Sequence, residues 1–251
     1  MVMASRSPTI LVLLAALARV QCFPAIGAMS TRRVMLLHGQ ACAGSSFLRS
    51  PTRNGAKDFL AGVPAEGLWN SNGLWNKPGM KKTSWFWHIS AANAGHADGN
   101  WYEERDDGTL VGMDESIAQV EAEIEEQAVT CLVGLEQGGL LAALVAARAA
   151  LGESECSRLR CAVVCGAAMP SDGPHADLLR RLAATPGASL PTLHCLSKAD
   201  TISPPELGQE LAACFGPSAE LLWHDLGNAM PSRSWWKDSD AFLERAWEAG
   251  A

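Results

Sequence analysis

The central apolar pattern of the chain predicts three consecutive elements. Residues 129–133 form a short run rich in β-branched side chains, and residues 140–150 are almost entirely Ala and Leu. The first composition is typical of a buried strand, and the second is typical of a helix. The stretch between them, GLEQG at 134–138, begins and ends with glycine. We therefore expect a strand, a tight turn centred on Glu136, and a buried helix.

The same alternation of apolar runs and helical patterns extends along the rest of the chain. Further buried strands are predicted at 33–39, 159–165, 190–196 and 220–224. Further helices are predicted from Asp114 onward and at 176–184, 204–214 and 234–248. Residues 62–84 are rich in turn formers and are predicted to be irregular, while residues 96–107 are predicted to form an exposed polar loop. Strands alternating with helices predict an α/β fold, with a mostly parallel, doubly wound sheet and helices on both faces.

Composition and charge narrow the class of protein. The chain has 251 residues, of which 48% are apolar and 19% are charged, so it is long enough for a globular domain with a full core. Its net charge of -7 and the lack of a long Lys/Arg block argue against nucleic acid as a partner. Residues 31–251 are therefore predicted to form a single domain.

The eight cysteines indicate buried thiols rather than a metal site. None of them stands in a C-x-x-C pair, and no set of Cys and His has the spacing of a zinc site. Cys131, Cys165 and Cys195 fall in apolar, strand-like runs, where a free buried thiol is expected. Cys156 and Cys161 are candidates for a disulfide if the protein folds in an oxidising compartment. No metal and no other cofactor is predicted.

Residues 1–30 have the character of a targeting segment. Arg6 precedes the apolar stretch 9–18, and small residues follow at positions 25–28. This pattern predicts a signal peptide and entry into the secretory pathway, with no stable membrane span after its removal. The hydroxylated, basic segment 30–33 resembles the second part of a bipartite plastid leader. The alternatives are an uncleaved anchor and a cytoplasmic protein.

Several motifs in a fixed order connect the chain to a known family. They are Leu36-Leu37-His38-Gly39, the aromatic run Trp85-Phe86-Trp87, GMDESI at 112–117, GLEQG at 134–138, SKADTISP at 197–204 and HDLGNAMP at 224–231. Together they resemble the FSH-type serine hydrolases, which are small α/β-hydrolases, over residues 33–248. The resemblance implies the α/β-hydrolase fold and, as the family's chemistry, the hydrolysis of acyl esters.

The resemblance also assigns candidate site residues, and two of them depart from the family pattern. The position of the nucleophilic serine holds Glu136. The position of the catalytic histidine holds Asn228, or Ala229 if the loop is shifted by one residue, and the acid position holds Asp200. The backbone N–H groups that form the oxyanion hole of this fold map to Gln40 and Gln137.

These substitutions decide the functional hypotheses. A serine hydrolase needs a hydroxyl nucleophile and an imidazole base, and neither stands at the matching position. We therefore expect a catalytically impaired protein, a pseudoenzyme that binds a small ester-like molecule or a protein partner. The alternative is an active hydrolase that uses Glu136 as a carboxylate nucleophile or takes its base from elsewhere in the chain. A purely structural domain is the third hypothesis.

The remaining histidines are the candidate replacement bases in the active alternative. His224 is expected to be packed or hydrogen-bonded at a strand end, and not to act as the base. His88, His96 and His175 are predicted to lie in loops, and nothing in the sequence singles one of them out.

Overall fold

The computed structural model describes residues 32–39, 67–70, 73–75, 84–88, 100–230 and 236–248. Its strands are β1 Arg32–Leu37, β2 Gly67–Asn70, β3 Gly73–Trp75, β4 Ser84–His88, β5 Glu103–Glu104, β6 Leu110–Val111, β7 Cys131–Leu135, β8 Cys161–Cys165, β9 Thr192–Ser197 and β10 Ala219–His224. Its helices are α1 Met113–Gln127, α2 Gln137–Ala150, α3 Gly173–Ala184, α4 Pro205–Ala213 and α5 Trp236–Glu248.

Eight of the described strands form one sheet in the order β10-β9-β8-β7-β1-β4-β2-β3. Strands β2 and β3 pair antiparallel, and the other neighbouring pairs of this sheet are parallel. The chain winds outward from β1 in both directions, towards β4 on one side and through β7 to β10 on the other. This topology confirms the predicted mostly parallel, doubly wound α/β sheet. Because β1 and β7 are neighbours, the loops that follow them lie side by side at the carboxyl edge.

The central strands β1, β7 and β8 are buried on both faces, and their side chains alternate between two hydrophobic clusters. On β1, Met35 and Leu37 belong to the cluster that includes α1 and α2. Val34 and Leu36 belong to the cluster that includes α5. Helix α2 is buried over most of its length, which explains its Ala-rich and Leu-rich composition. The predictions of helices on both faces and of a buried helix after Glu136 are confirmed.

Two short regions of the sheet differ from the prediction. Residues 62–84 were expected to be irregular, but they contain β2 and β3, which pair with each other. The aromatic run at 85–87 forms most of β4, which lies between β1 and β2. Strands of three to five residues are too short to show a period of two, so pairing with neighbours decides their conformation rather than local pattern.

The polar stretch at 96–107 also differs from the prediction of an exposed loop. The side chain of Trp101 is completely buried, and that of Tyr102 is 8% exposed. The following residues form β5, which pairs with β6 as a separate two-stranded sheet. The acidic residues around Trp101 and Tyr102 make the stretch polar in composition, although these two side chains are buried. The prediction is therefore wrong for the middle of this stretch.

Some predictions concern residues outside the described ranges. The targeting segment 1–30, Gln40 and His96 all fall there. Among the helices that the structure does describe, none combines the length and the hydropathy required to cross a bilayer.

Candidate functional site

The turn at Glu136 is shaped by the close approach of strand β7 and helix α2. Glu136 has φ 54° and ψ -114°, a strained conformation for a residue other than glycine. Its N–H donates to the carbonyl of Cys165 at the end of β8, at 2.9 Å. A Cβ atom on Gly138 would lie 2.4 Å from the carbonyl oxygen of Leu37, so only glycine fits there. The fold thus holds position 136 in the geometry of a nucleophile elbow.

The Glu136 carboxylate faces the loop that follows β1. The register of β1 and β7 pairs Leu37 with Gly134, which places the two carboxyl ends together. A Cβ atom on Gly39 would lie 2.8 Å from Oε2 of Glu136 and 3.4 Å from its Cβ. The side chain is half-buried and packs directly against Gly39. The side chain therefore lies between the elbow and Gly39.

A buried polar network joins the elbow to the loop after β1. The side chain of Gln137 accepts the N–H of Trp101 at 2.9 Å and donates to the carbonyl of Tyr102 at 3.1 Å. The Trp101 indole N–H donates to the carbonyl of His38 at 2.8 Å, and the two rings lie 4.9 Å apart. The Ser116 hydroxyl, on α1, donates to the Trp101 carbonyl. These bonds fix the first residue of α2 relative to the end of β1.

Burial shifts the ionisation of two groups in this network. Burial raises the pKa of Tyr102, and the carboxylates of Glu104 and Glu136 raise it further. Burial lowers the pKa of His38, although the bond from its Nδ1 to the carbonyl of Gly39, at 2.8 Å, acts in the opposite direction. Tyr102 therefore remains a phenol and His38 remains neutral at pH 7.

Asp200 and Asn228 are brought into contact by the loops that follow β9 and β10. Nδ2 of Asn228 donates to Oδ2 of Asp200 at 3.1 Å. The other carboxylate oxygen, Oδ1, accepts the backbone N–H groups of Ile202 and Ser203, each at 2.9 Å. Asp200 is 7% exposed, and these three donors compensate for the burial of its charge. Asn228, rather than Ala229, is the residue whose side chain is hydrogen-bonded to Asp200.

The turn after β8 lies between the elbow and this pair. Gly166 has φ 52°, and a Cβ atom on it would lie 3.1 Å from Nδ2 of Asn228 and 3.3 Å from Oδ2 of Asp200. The preceding residue, Cys165, accepts the Glu136 N–H. An ionised carboxylate cannot donate, so the Asn228 amide presents its NH₂ to Asp200 and turns its oxygen away. The two parts of the site therefore meet at one edge of the sheet, around Gly166.

Of the candidate replacement bases, His224 and His175 have described side-chain partners. His224 is 7% exposed, and its Nδ1 accepts the N–H of Leu226, which confirms the predicted hydrogen-bonded histidine at a strand end. The loop assignment of His175 is wrong: it lies in α3, where its Nε2 contacts Asp114 at 3.1 Å. The helix begins earlier than its apolar pattern because Asp172 caps it. The loop assignment of His88 is also wrong, since it is the last residue of β4.

The three cysteines that the sequence places in strand-like runs are buried, as predicted. Cys131, Cys165 and Cys195 are free and completely buried, and Cys156 and Cys161 are free as well. Burial raises the pKa of the Cys165 thiol, which makes it a poor nucleophile next to the site. Within the described ranges, no three His, Cys, Asp or Glu side chains lie close enough together to hold a metal ion.

A groove of about 810 Å³ opens beside Asp200, between α4 and β10. It is lined by Lys198, Asp200, Pro204, Pro205, Glu206, Gln209 and Trp223. Two exposed apolar residues lie close in sequence to Asp200 and Asn228. Ile202, two residues after Asp200, is 63% exposed, and Leu226, two residues before Asn228, is 44% exposed. The lining of the groove is more polar than apolar, with Lys198, Glu206 and Gln209 beside Asp200.

Sequence reasoning missed the residues that connect the elbow to β1. Trp101 and Ser116 were not singled out, and Gln137 was assigned only through its backbone. The available signal was the adjacent Trp101-Tyr102 pair inside an acidic stretch, because large aromatic side chains in polar loops often anchor the loop to the core.

Comparison with known proteins gives both a family and individual relatives. The model of the serine hydrolase family FSH1 matches residues 29–240. The esterase C25G4.2 of Caenorhabditis elegans is 30% identical over 137 residues, which are 54% of this chain and 60% of that esterase. The matched part is therefore less than two thirds of that relative's length.

Solved structures agree on the fold. SOBER1 of Arabidopsis thaliana is 14% identical, with a TM-score of 0.56 over 86% of this chain and 99% of that one. Esterase PE8 is 16% identical, with a TM-score of 0.58 over 89% and 96%. Acyl-protein thioesterase 2 of Zea mays is 17% identical, with a TM-score of 0.51 over 88% and 95%. At these identities the likeness concerns the fold alone, and it confirms the predicted α/β-hydrolase fold.

Proposed function

Because the chain belongs to the FSH1 serine hydrolase family, we propose that it keeps the family's pocket but has lost acyl hydrolysis, and that it binds a small ester-like molecule or a protein partner. In this proposal Glu136 stands at the nucleophile position, Asp200 at the acid position and Asn228 at the base position. The backbone N–H groups of Gln137 and Gln40 are the proposed donors of the oxyanion hole.

The bond between Nδ2 of Asn228 and Oδ2 of Asp200 carries this proposal. In a Ser-His-acid triad, the acid orients an imidazole that removes the proton of the serine hydroxyl. Here the acid orients an amide, which has no useful basicity at neutral pH. The pair is suited to hold a ligand through the amide oxygen of Asn228, but it cannot activate a nucleophile.

A second requirement of the mechanism is not met at position 136, because a glutamate side chain has no hydroxyl group. In another serine hydrolase, loss of the triad costs on the order of 10⁶ in kcat. Backbone donors survive changes of side chain, and an intact oxyanion hole with substrate binding retains roughly 10³-fold over water. Such a remainder is typical of a binding protein rather than of an enzyme.

The alternative, a covalent ester on the Glu136 carboxylate, needs a base that activates water for the second step. In the described part of the chain, His38 contacts the Gly39 carbonyl, His175 contacts Asp114 and His194 contacts Thr192. His224 lies within electrostatic range of Asp200, but its Nδ1 accepts the N–H of Leu226. Without such a base the ester would accumulate as a dead-end adduct. These contacts favour binding over turnover.

Repair of the two substituted positions tests the proposal. The double variant Glu136→Ser/Asn228→His restores the hydroxyl and the imidazole, and the two single variants are its matched controls. We expect the double variant to hydrolyse p-nitrophenyl butyrate at least about 100-fold faster than either single variant, because triad members act as a unit. A serine-directed fluorophosphonate probe should label the double variant at position 136.

Two results would contradict the proposal. Turnover by the unmodified protein that is lost in Glu136→Gln would identify Glu136 as a nucleophile. A folded double variant without any activity would mean that the pocket has not been kept.

A further inference from the structure

The Glu136 side chain crosses the space between the elbow and the loop after β1. Although Glu136 immediately precedes α2, its carboxylate accepts no hydrogen bond from the N–H groups at the start of that helix. It extends towards Gly39 instead, where a Cβ atom would lie 2.8 Å from Oε2. A serine at position 136 would end at its Oγ atom and would leave this space open.

The walls of this space are fixed by buried groups. Gln137 holds the Trp101 backbone on the elbow side, and the Trp101 indole holds the His38 carbonyl on the β1 side. Trp101 and His38 are completely buried, and Gly39 is buried as well. Moving the walls apart to admit a ligand beside the carboxylate would leave buried donors and acceptors without partners, which is strongly unfavourable.

We propose that the Glu136 carboxylate is a built-in occupant of the acyl-binding space, which keeps ester carbonyls and free carboxylates away from the elbow. The inference rests on the proposed function, because it takes Glu136 to stand at the nucleophile position. An ester-like ligand then binds with its carbonyl away from the elbow, which is a further reason why it is not hydrolysed. Removal of the side chain creates a binding site for a monocarboxylate.

The exclusion has a steric part and an electrostatic part. The carboxylate fills the space next to Gly39, and closely packed interiors have no room for a second group of that size. A second anion at this place would also meet the negative charge of Glu136 at short range.

Butyrate, the product of a short acyl ester, is the probe for this inference. Its affinity is measured by isothermal titration calorimetry for the unmodified protein, Glu136→Ala, Glu136→Gln and Glu155→Ala. We expect Glu136→Ala to bind butyrate at least about 20-fold more tightly than the unmodified protein, because both charge and bulk are removed. Glu136→Gln keeps the bulk and should gain less than about fivefold. Glu155 is exposed, so we expect Glu155→Ala, which removes the same charge, to leave the butyrate affinity unchanged.

Equal butyrate affinities, within about twofold, for the unmodified protein and a folded Glu136→Ala would overturn the inference, since this is far below the change expected from relieving steric and charge exclusion. If Glu136→Ala does not fold, Glu136→Ser provides the same comparison with a shorter side chain. The result is separable from the proposed function. Turnover of p-nitrophenyl butyrate by the unmodified protein would refute the proposed function, whereas an inert protein whose variants all bind butyrate alike would refute the built-in occupant alone.

Discussion

The elbow around Glu136 and the loop pair that carries Asp200 and Asn228 lie at the same sheet edge but depend on different parts of the chain. The elbow is defined by its backbone, through a strained φ at Glu136 and the close approach of Gly138 to β1. The loop pair is defined by side chains, since the Asp200 carboxylate gathers two backbone N–H groups and the Asn228 amide.

The difference explains what each region tolerates. A backbone-defined turn keeps its shape when its central side chain changes, so it accommodates the Glu136 side chain. A side-chain-defined loop keeps its shape only if the substitute offers the same hydrogen bond, and Asn228 offers the donor that Asp200 requires.

The largest loss of stability is expected when one carbon atom is added to a residue of the elbow. Gly138→Ala places a Cβ atom 2.4 Å from the Leu37 carbonyl oxygen, and a backbone atom cannot move aside. We expect a loss of about 3 kcal/mol in the free energy of unfolding, measured by urea denaturation. Gly216→Ala is the control: φ is 55° but nothing lies within 4 Å, so the loss should be about 1 kcal/mol. Equal losses would show that close approach does not define the elbow.

A smaller loss of stability, greatest on the loop-pair side, is expected from acid. His194, on β9 below Asp200, is completely buried, and within the described structure its Nδ1 has no hydrogen-bond partner. Burial lowers its pKa to about 3, below the value of 6.5 expected in the unfolded chain. The unfolded state therefore binds more protons between these values. This contribution to stability is complete above pH 6.5 and is lost as the pH falls towards 3.

Urea denaturation at pH 7.5 and pH 4.5 measures this loss, which should be about 2 to 3 kcal/mol for the unmodified protein. His194→Leu removes the titrating group and should remove most of the pH dependence. Hydrogen exchange at pH 4.5 should increase in β9 and β10 before β7, which carries no histidine. The same pH dependence in His194→Leu would assign the acid sensitivity to other groups.

The smallest effect is expected when the loop pair is altered without loss of volume. Asp200→Asn turns an NH₂ donor towards the NH₂ of Asn228, and should lower the free energy of unfolding by about 1 to 2 kcal/mol. The swapped variant Asp200→Asn/Asn228→Asp restores one donor and one acceptor and should recover most of that loss. A swapped variant as unstable as the single variant would mean that this bond does not organise the loops.

The predictability of each region follows from the range of the forces that shape it. The strand, turn and helix at 129–150 were predictable because apolar composition and glycine act within a few residues. The short strands β2, β3 and β4 were not, because their hydrogen bonds come from neighbours elsewhere in the chain. Trp101 was missed for the same reason, since its partners Gln137 and His38 are 36 and 63 residues away.

The sequence by itself determined the parallel α/β architecture, the elbow between its glycines, and the absence of serine and histidine at positions 136 and 228. Only the tertiary structure decided that Asn228 rather than Ala229 meets Asp200, and that the Glu136 carboxylate packs on Gly39. The former follow from local pattern and residue identity. The latter depend on the register of β1, β7, β9 and β10, which brings loops together from distant parts of the chain.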